Sequence, residues 1–378
     1  RNHWMTIGTS NKLKDFYTKN RRIKTGAKGI GRFALDRLGK KCEMFTLPRG
    51  EQDGYEWKID WTDFEKEGAH LGQVNADLSK VTKLNLKEKI DSLFIKIKKP
   101  QILKKFNHGT LIKISDLNDG WDNQSVERIY RDLELLTPPE EEKDFYTFLF
   151  STLKPDTYGK VSSVINEDYD YKLVANVDKN KNVKIMIHRN EFDVKAVDDD
   201  IFKRPEMKKF PYDRKTFRKK SFAIKTTLNE LIPGSNNDQL DLIGPFSFVF
   251  YFMKRTYDKT EPEKFFYRHF EAKNRSDWLK RFGGIKLFRD NFWIRPYGET
   301  GSAAFDWLGL GERAAISPAG ITKQGAGWRV RPNQVTGIIK ISRITNLRFE
   351  DKSSREGLQE NHTFATFRSI ILKLINKF

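Results

Sequence analysis

The longest apolar run in the chain is Phe246–Met253, and it constrains what the rest can build. A helix needs ~20 apolar residues to cross a bilayer. The run is far shorter and predicts a buried strand. Other short stretches also read as strands: about Lys41–Thr46, Tyr55–Trp61, Thr110–Ser115, Ile285–Phe288 and Val335–Ile344. Tyr171–Val177 and Val183–His188 flank the turn-rich tip Asp178-Lys-Asn-Lys-Asn182 and predict a hairpin. Helical spacing appears in three places. Arg32–Leu38 carries Phe33, Ala34, Leu35 and Leu38, with Gly39 as a stop. Trp121-Asp122-Asn123 opens a helix to about Leu136, ended by Pro138-Pro139. Glu360–Phe378 is amphipathic, with Phe364, Phe367, Ile371, Leu374 and Ile375 on one side. Sheets with few helices on them predict an α+β fold.

The length of 378 residues suits two domains. The polar, basic stretch Tyr212–Lys220 predicts the boundary, giving domains 1–215 and 216–378. Aromatic residues make up 13 %, with 29 Phe among them, which excludes disorder over most of the length and supplies two cores. Cys42 is the one cysteine, so an internal disulfide and a cysteine-based zinc site are excluded, and a reducing, cytoplasmic setting is expected. The six histidines are scattered, without metal-ligand spacing. Lys and Arg exceed Asp and Glu by 70 − 51 = 19. That excess fits either an anionic partner or a lysine-rich solvated surface.

Gly26-x-x-Gly29-x-Gly31 stands directly before the first helix. Glycines let a backbone approach a phosphate closely, and a helix start favours an anion. Lys28 and Arg32 add charge. The same triplet also suits a tight loop packed on a sheet. No Gly-Lys-Ser/Thr ends it, so it is not a P-loop. The stretch before it is basic and loop-like, which departs from the dinucleotide-binding unit.

The surrounding string is Trp4-Met-Thr-Ile-Gly-Thr-Ser10-Asn-Lys12, a basic stretch, then Thr25-Gly26-Ala-Lys28-Gly29-Ile30-Gly31-Arg32-Phe33-Ala34. It resembles the ATP lid and second glycine box of the GHKL ATPases. That superfamily holds the gyrase B subunit, heat-shock chaperones, histidine kinases and MutL-type repair proteins, and the variant is nearest a chaperone-like and MORC-like bacterial branch. Gly109-Thr110 resembles the family's Gly-Thr strand, whose Thr lies by the adenine. Gly283–Asp290, Arg295-Pro-Tyr-Gly298, Asp306-Trp-Leu-Gly-Leu310, Asn333–Gly337 and Ser354–Leu358 resemble the second domain of that branch.

The resemblance implies a partial Bergerat-type ATP-binding α/β sandwich followed by an α+β transducer domain. Ser10 and Lys12 lead into the lid, and Gly26, Lys28, Gly29, Ile30, Gly31, Arg32 and Phe33 hold the triphosphate of ATP with Mg2+. A transducer cation, Lys352 or Arg355 (with Lys323 a further candidate), meets the γ-phosphate. The family's catalytic Glu, its magnesium-holding Asn and its Asp-x-Gly-x-Gly box precede the lid, and none has a match in this chain. The expectation is therefore that those parts lie upstream or in another polypeptide, or that the chain is a degenerate family member that no longer binds ATP.

Lys208, Lys209, Arg214, Lys215, Arg218 and Lys219 interleave with Phe210, Tyr212 and Phe217. This pattern suits a nucleic-acid path, with phosphates on the cations and bases on the rings, or a basic segment over a core edge. Asp198–Asp200 reads as a solvated acidic loop, and Trp293 and Trp307 as buried. The leading expectation is an ATP-binding switch that dimerises when ATP is bound. The family's outputs point to a DNA transaction, defence against foreign DNA or remodelling of a partner protein. The other expectation is a non-catalytic nucleic-acid-binding or scaffold protein that keeps the fold. No membrane association is expected.

Overall fold

The computed structural model describes residues 17, 34–64, 76–94, 106–136, 146–161, 168–257, 260, 265–290, 292–316, 329–350, 352 and 357–377. The fold is α+β. The chain divides into two compact units, Arg1–Ser163 and Val164–Phe378. The boundary is therefore some fifty residues before the expected one at 215/216. The reason is long-range pairing: the Tyr171–Val177 hairpin strand hydrogen-bonds along Phe246–Phe252, which ties it to the second unit. Among the described residues no helix is long and apolar enough to cross a membrane.

The first unit holds a short helix α1 (Ala34–Leu38), then β1 (Gly39–Leu47), β2 (Gly54–Asp60), β3 (Asp77–Val81), α2 (Leu86–Phe94), β4 (Gly109–Leu117) and α3 (Asn123–Leu136). Its four-stranded sheet has the order β3-β2-β1-β4 and is antiparallel throughout. Each face carries its own small core, as strand alternation requires. Phe45 and Leu47 join Leu84 and Leu86 on one face. Cys42, Met44 and Trp57 form the other, with Leu35 of α1 packed against them. Asp122 caps α3 by accepting from the Ser125 amide and hydroxyl, each at 2.7 Å. Those bonds, the hydroxyl's first, hold its carboxyl below the usual range. A small pair of strands, β5 (Thr147–Phe148) and β6 (Lys160–Val161), follows.

The second unit is built on a seven-stranded sheet. Its elements are β7 (Tyr171–Val177), β8 (Asn182–Arg189), α4 (Arg214–Arg218), β9 (Ser221–Thr227), α5 (Leu228–Leu231), α6 (Asn237–Asp241), β10 (Phe246–Phe252), α7 (Ala272–Phe282), β11 (Gly284–Arg289), β12 (Phe292–Trp293), α8 (Leu310–Ile316), β13 (Val335–Ile341) and α9 (His362–Asn376). Strand order is β12-β11-β13-β10-β7-β8-β9. Only β11 and β13 run parallel, and the crossover that a parallel pair needs carries α8.

Phe246, Phe248, Phe250 and Phe252 alternate onto one face of β10, and all are buried. The predicted face of α9 belongs to the same core, with Phe364, Phe367, Ile371, Leu374 and Ile375 buried in it. Each such side chain contributes ~1.5–3 kcal/mol of transfer free energy. Asn361 caps the helix by accepting from the Phe364 amide at 2.9 Å.

The motifs at Gly283–Asp290, Arg295–Gly298 and Asp306–Leu310 converge beside this core. Gly284 (φ +86) and Gly298 (φ +71) meet so closely that a Cβ on Gly284 would lie 2.4 Å from the Gly298 carbonyl oxygen. Trp307 Nε1 donates to the Ile285 carbonyl at 2.8 Å, and its ring stacks on Phe364 at 5.7 Å between centroids. Trp293 and Trp307 are both buried, as expected. Asp306 accepts the Leu310 and Gly311 amides at 2.8 Å each and so starts α8. These motifs therefore perform packing and capping.

α7 is fastened by charge. Arg275 is buried and donates to both oxygens of Asp168 (2.9 and 2.8 Å) and to Asp170 (2.7 Å). Hydrogen bonding from Arg275 holds Asp168 below the carboxylate range, whereas burial lifts Asp170 in spite of Arg275. Lys286 on β11 is also buried, and its Nζ donates to the Phe282 and Gly283 carbonyls at 2.8 and 2.9 Å.

Candidate functional site

In the first unit the site begins with α1, which follows the glycine triplet in sequence. Asn118, just past β4, donates its side-chain amide to the Asp36 and Arg37 carbonyls at 2.9 and 3.1 Å. These are orphan carbonyls of the α1 C-terminus, so the helix is pinned to the sheet at that end. Leu35 then lays it onto the Cys42–Met44–Trp57 face.

Thr110 is on that same face. It pairs across strands with Thr46, as Ile112 pairs with Met44 and Ile114 with Cys42. Its side chain is exposed, and its hydroxyl lies 3.1 Å from that of Thr46. The Thr46 hydroxyl also donates to the Gly109 carbonyl at 3.4 Å, so the pair keeps acceptor capacity for a third polar group. Ser10, Lys12, Gly26, Lys28, Gly29, Ile30, Gly31, Arg32 and Phe33 lie outside the described residues. No group of three His, Cys, Asp or Glu lies together among the described residues.

In the second unit the segment between β13 and α9 is closed at its base. The Lys352 amide donates to the Gly357 carbonyl at 3.1 Å, and the Gln359 amide to that of Glu350 at 2.8 Å. Tyr297 Oη accepts from the Leu358 amide at 3.0 Å and donates to its carbonyl at 3.3 Å. The base is thereby attached to the buried Trp307–Phe364 cluster. Lys352 Nζ lies 3.9 Å from Glu360, with both side chains solvated, so the pair holds the ammonium weakly. Arg355 and Lys323 lie outside the described residues.

The basic segment separates into two kinds of cation. Arg214 and Arg218 both bind Asp199. Arg218 also donates to the Val194 and Val197 carbonyls at 3.0 Å each and lies over the Phe202 ring. Asp199, read from sequence as part of a solvated loop, is the anchor of this segment, and the two arginines hold its carboxyl below the usual range. Lys208, Lys209, Lys215 and Lys219 are exposed and make no ion pair among the described residues. Phe210 and Tyr212 beside them are 60 % and 50 % exposed.

Three residues in these regions escaped sequence reasoning: Asn118, Asp199 and Arg189. Arg189 is buried among the rings of Tyr212, Phe217 and Phe222, 5.1–5.6 Å from their centroids, and donates to the Pro211 carbonyl. Only the abundance of Phe around Arg189 hinted at such a cage. No protein-family model matches the chain, and no curated protein matches it.

Proposed function

We propose that the chain is an ATP-binding switch of the GHKL type. One observation carries the reading: the helix that follows the glycine triplet in sequence and the Gly-Thr hydroxyl lie on one face of one sheet. Leu35 packs over that face, and Thr110 stands exposed at its far end, its hydroxyl bonded to that of Thr46. A nucleotide laid along the face would put phosphates at the glycine triplet and its base near the Thr46–Thr110 hydroxyls. The amides of Gly29–Gly31 and the Lys28 ammonium would bind the phosphates, since a helix start and a cation both favour an anion.

Lys352 suits a γ-phosphate sensor. Its backbone is held at a closed loop base, while its ammonium is only loosely engaged. A phosphate oxygen is a stronger partner than a solvated Glu360. ATP would then favour a closed arrangement that ADP does not, which is a switch. Dimerisation on closure follows the family resemblance. Bound magnesium would neutralise phosphate charge. The proposal covers binding and switching, because the family motif that carries the general base for hydrolysis has no match in the sequence.

The test is equilibrium binding of a fluorescent non-hydrolysable ATP analogue with magnesium, read beside ADP. Gly29→Val and Lys28→Ala should each weaken binding at least tenfold, about 1.4 kcal/mol. Thr110→Val should weaken it severalfold, and Lys352→Ala should erase the preference for the triphosphate. Equal affinity in Gly29→Val and the unaltered chain would overturn the reading. A second reading, a nucleic-acid-binding protein without nucleotide control, is favoured by the four unpaired lysines around exposed Phe210 and Tyr212. It predicts oligonucleotide binding that is steeply salt-dependent and indifferent to ATP.

A further inference from the structure

The seven-stranded sheet has a second face, opposite the phenylalanine core, and the strand register fixes what it displays. Lys225 on β9 stands directly opposite Lys184 on β8, and Lys184 opposite Asn176 on β7. Lys184, Lys225 and Asn176 are exposed. Two rows along the same strands, Lys172 pairs with His188 and with Tyr251, its ammonium 5.2 Å from the Tyr251 ring. Between these rows runs a half-buried apolar stripe of Met186, Val174 and Val249.

The charge on this face is one-sided. Across β7, β8, β9 and β10 it carries three lysines and no Asp or Glu. Lys172, Lys184 and Lys225 make no ion pair among the described residues. Like charges placed directly opposite on neighbouring strands destabilise a sheet. The Lys184–Lys225 pair is therefore a cost to folding with no internal compensation. His188 reports the same field, because burial and the Lys172 charge both push its imidazole pKa down.

We propose that this face binds a single-stranded nucleic acid, with phosphates on Lys184, Lys225 and Lys172 and bases against Tyr251 and the Met186–Val174–Val249 stripe. Lys184 and Lys172 are four residues apart along the sheet and one strand over, ~14 Å at ordinary strand spacing. A strand can thus set phosphates on both sides of the stripe while its bases cover it. A duplex keeps its bases stacked inside and would leave the stripe in water. The face is separate from the Lys208–Lys219 segment, and the inference does not rest on the nucleotide reading, since its test contains no ATP.

The test is fluorescence anisotropy with a fluorescein-labelled oligothymidylate at several salt concentrations. Lys184→Glu with Lys225→Glu should weaken binding at least tenfold. Lys184→Gln with Lys225→Gln should flatten the salt slope by about 1.4, the value for two lost phosphate contacts on a single strand. The Gln pair removes the opposed like charges, so its thermal midpoint should stay level or rise, and its weaker, less salt-dependent binding cannot be ascribed to unfolding. Tyr251→Ala should cost about fivefold or more through lost stacking. Lys208→Glu with Lys209→Glu should leave affinity within threefold. No binding, unchanged affinity in both lysine pairs, or equal competition by a duplex or by polyglutamate would each overturn the proposal.

Discussion

The two units solve the burial problem differently. The second unit closes one large core, with a small separate cluster of Val197, Ile201 and Phe217 beside it: Phe248, Phe250, Phe367, Ile370, Ile371 and Leu374 are all fully buried. The first unit divides its apolar side chains between two small clusters, one on each face of a four-stranded sheet. Both units leave large apolar side chains exposed, Ile112 (43 %), Leu117 and Leu78 on the first and Phe292, Ile316 and Leu347 on the second, so the contrast lies in the cores. A large single core unfolds as one cooperative body, whereas small clusters open locally at lower free energy. The difference suggests a division of labour. The second unit is a rigid support whose motifs at Gly283–Asp290, Arg295–Gly298 and Asp306–Leu310 are packing devices. The first unit has the softer surface, on which a ligand has most to stabilise.

The comparison can be broken most forcefully at Phe367. Its ring packs against Phe246 and Phe349 at 5.1 and 5.0 Å between centroids. Phe367→Ala should cost about 3–5 kcal/mol. Urea unfolding followed by tryptophan fluorescence checks this, because Trp57 and Trp61 report the first unit and Trp278, Trp293 and Trp307 the second. The expected result is a second-unit transition moved to lower urea and a first-unit transition left in place. If both move together, the units share one cooperative core and the division fails.

A smaller effect comes from Lys286. Burial pushes its ammonium pKa down to about 7 from 10.5. A neutral amine still has two N–H donors for the Phe282 and Gly283 carbonyls, so deprotonation leaves both hydrogen bonds intact. The folded pKa lies below the unfolded one, so between them the unfolded chain binds more protons. Stability must then rise with pH from about 7 toward 10.5, by up to about 1.4 kcal/mol per pH unit. Urea midpoints at pH 7, 8 and 9 should climb for the second unit alone. Lys286→Met should flatten that climb and be more stable than the unaltered chain at pH 7. A flat profile in the unaltered chain would show that the buried amine pays no desolvation penalty.

Much of this contrast was legible in the sequence. Phe246–Met253, the Asp178–Asn182 hairpin and the face of α9 follow hydrophobic periods that burial enforces, and all three formed as expected. Several elements were not foreseen, and for two of them the physical reason is plain. β3 has four exposed residues out of five, so no alternation marks it. α7 buries Arg275 beside Leu279 and Phe282, so a charged residue occupies a core-facing position and the helical period reads as polar. The domain boundary was misplaced because β7 and β10, some seventy residues apart in sequence, meet only through sheet pairing. For the candidate site, the order of glycine triplet, helix and Gly-Thr strand was readable. The Asn118 cap and the Asp199 anchor were not, since each depends on a partner that only the fold brings near.

The smallest expected effect is the sharpest test of the exposed first-unit face. Ile112 sits on β4, the edge strand of its sheet, opposite Met44. At 43 % exposure it has little apolar area left to lose to water. Ile112→Thr keeps the β-branch that a strand favours. It should therefore shift the first-unit urea transition by no more than about 0.5 kcal/mol, as surface substitutions do. Met44→Ala, one strand inward and buried, should cost about 2–5 kcal/mol in the same assay. A large loss at Ile112 would mean that the face is covered in solution. The first unit would then resemble the second in how it buries its apolar surface, and the softness argued for it would not exist. A small loss keeps the Thr110 end of that face accessible, which the nucleotide reading requires.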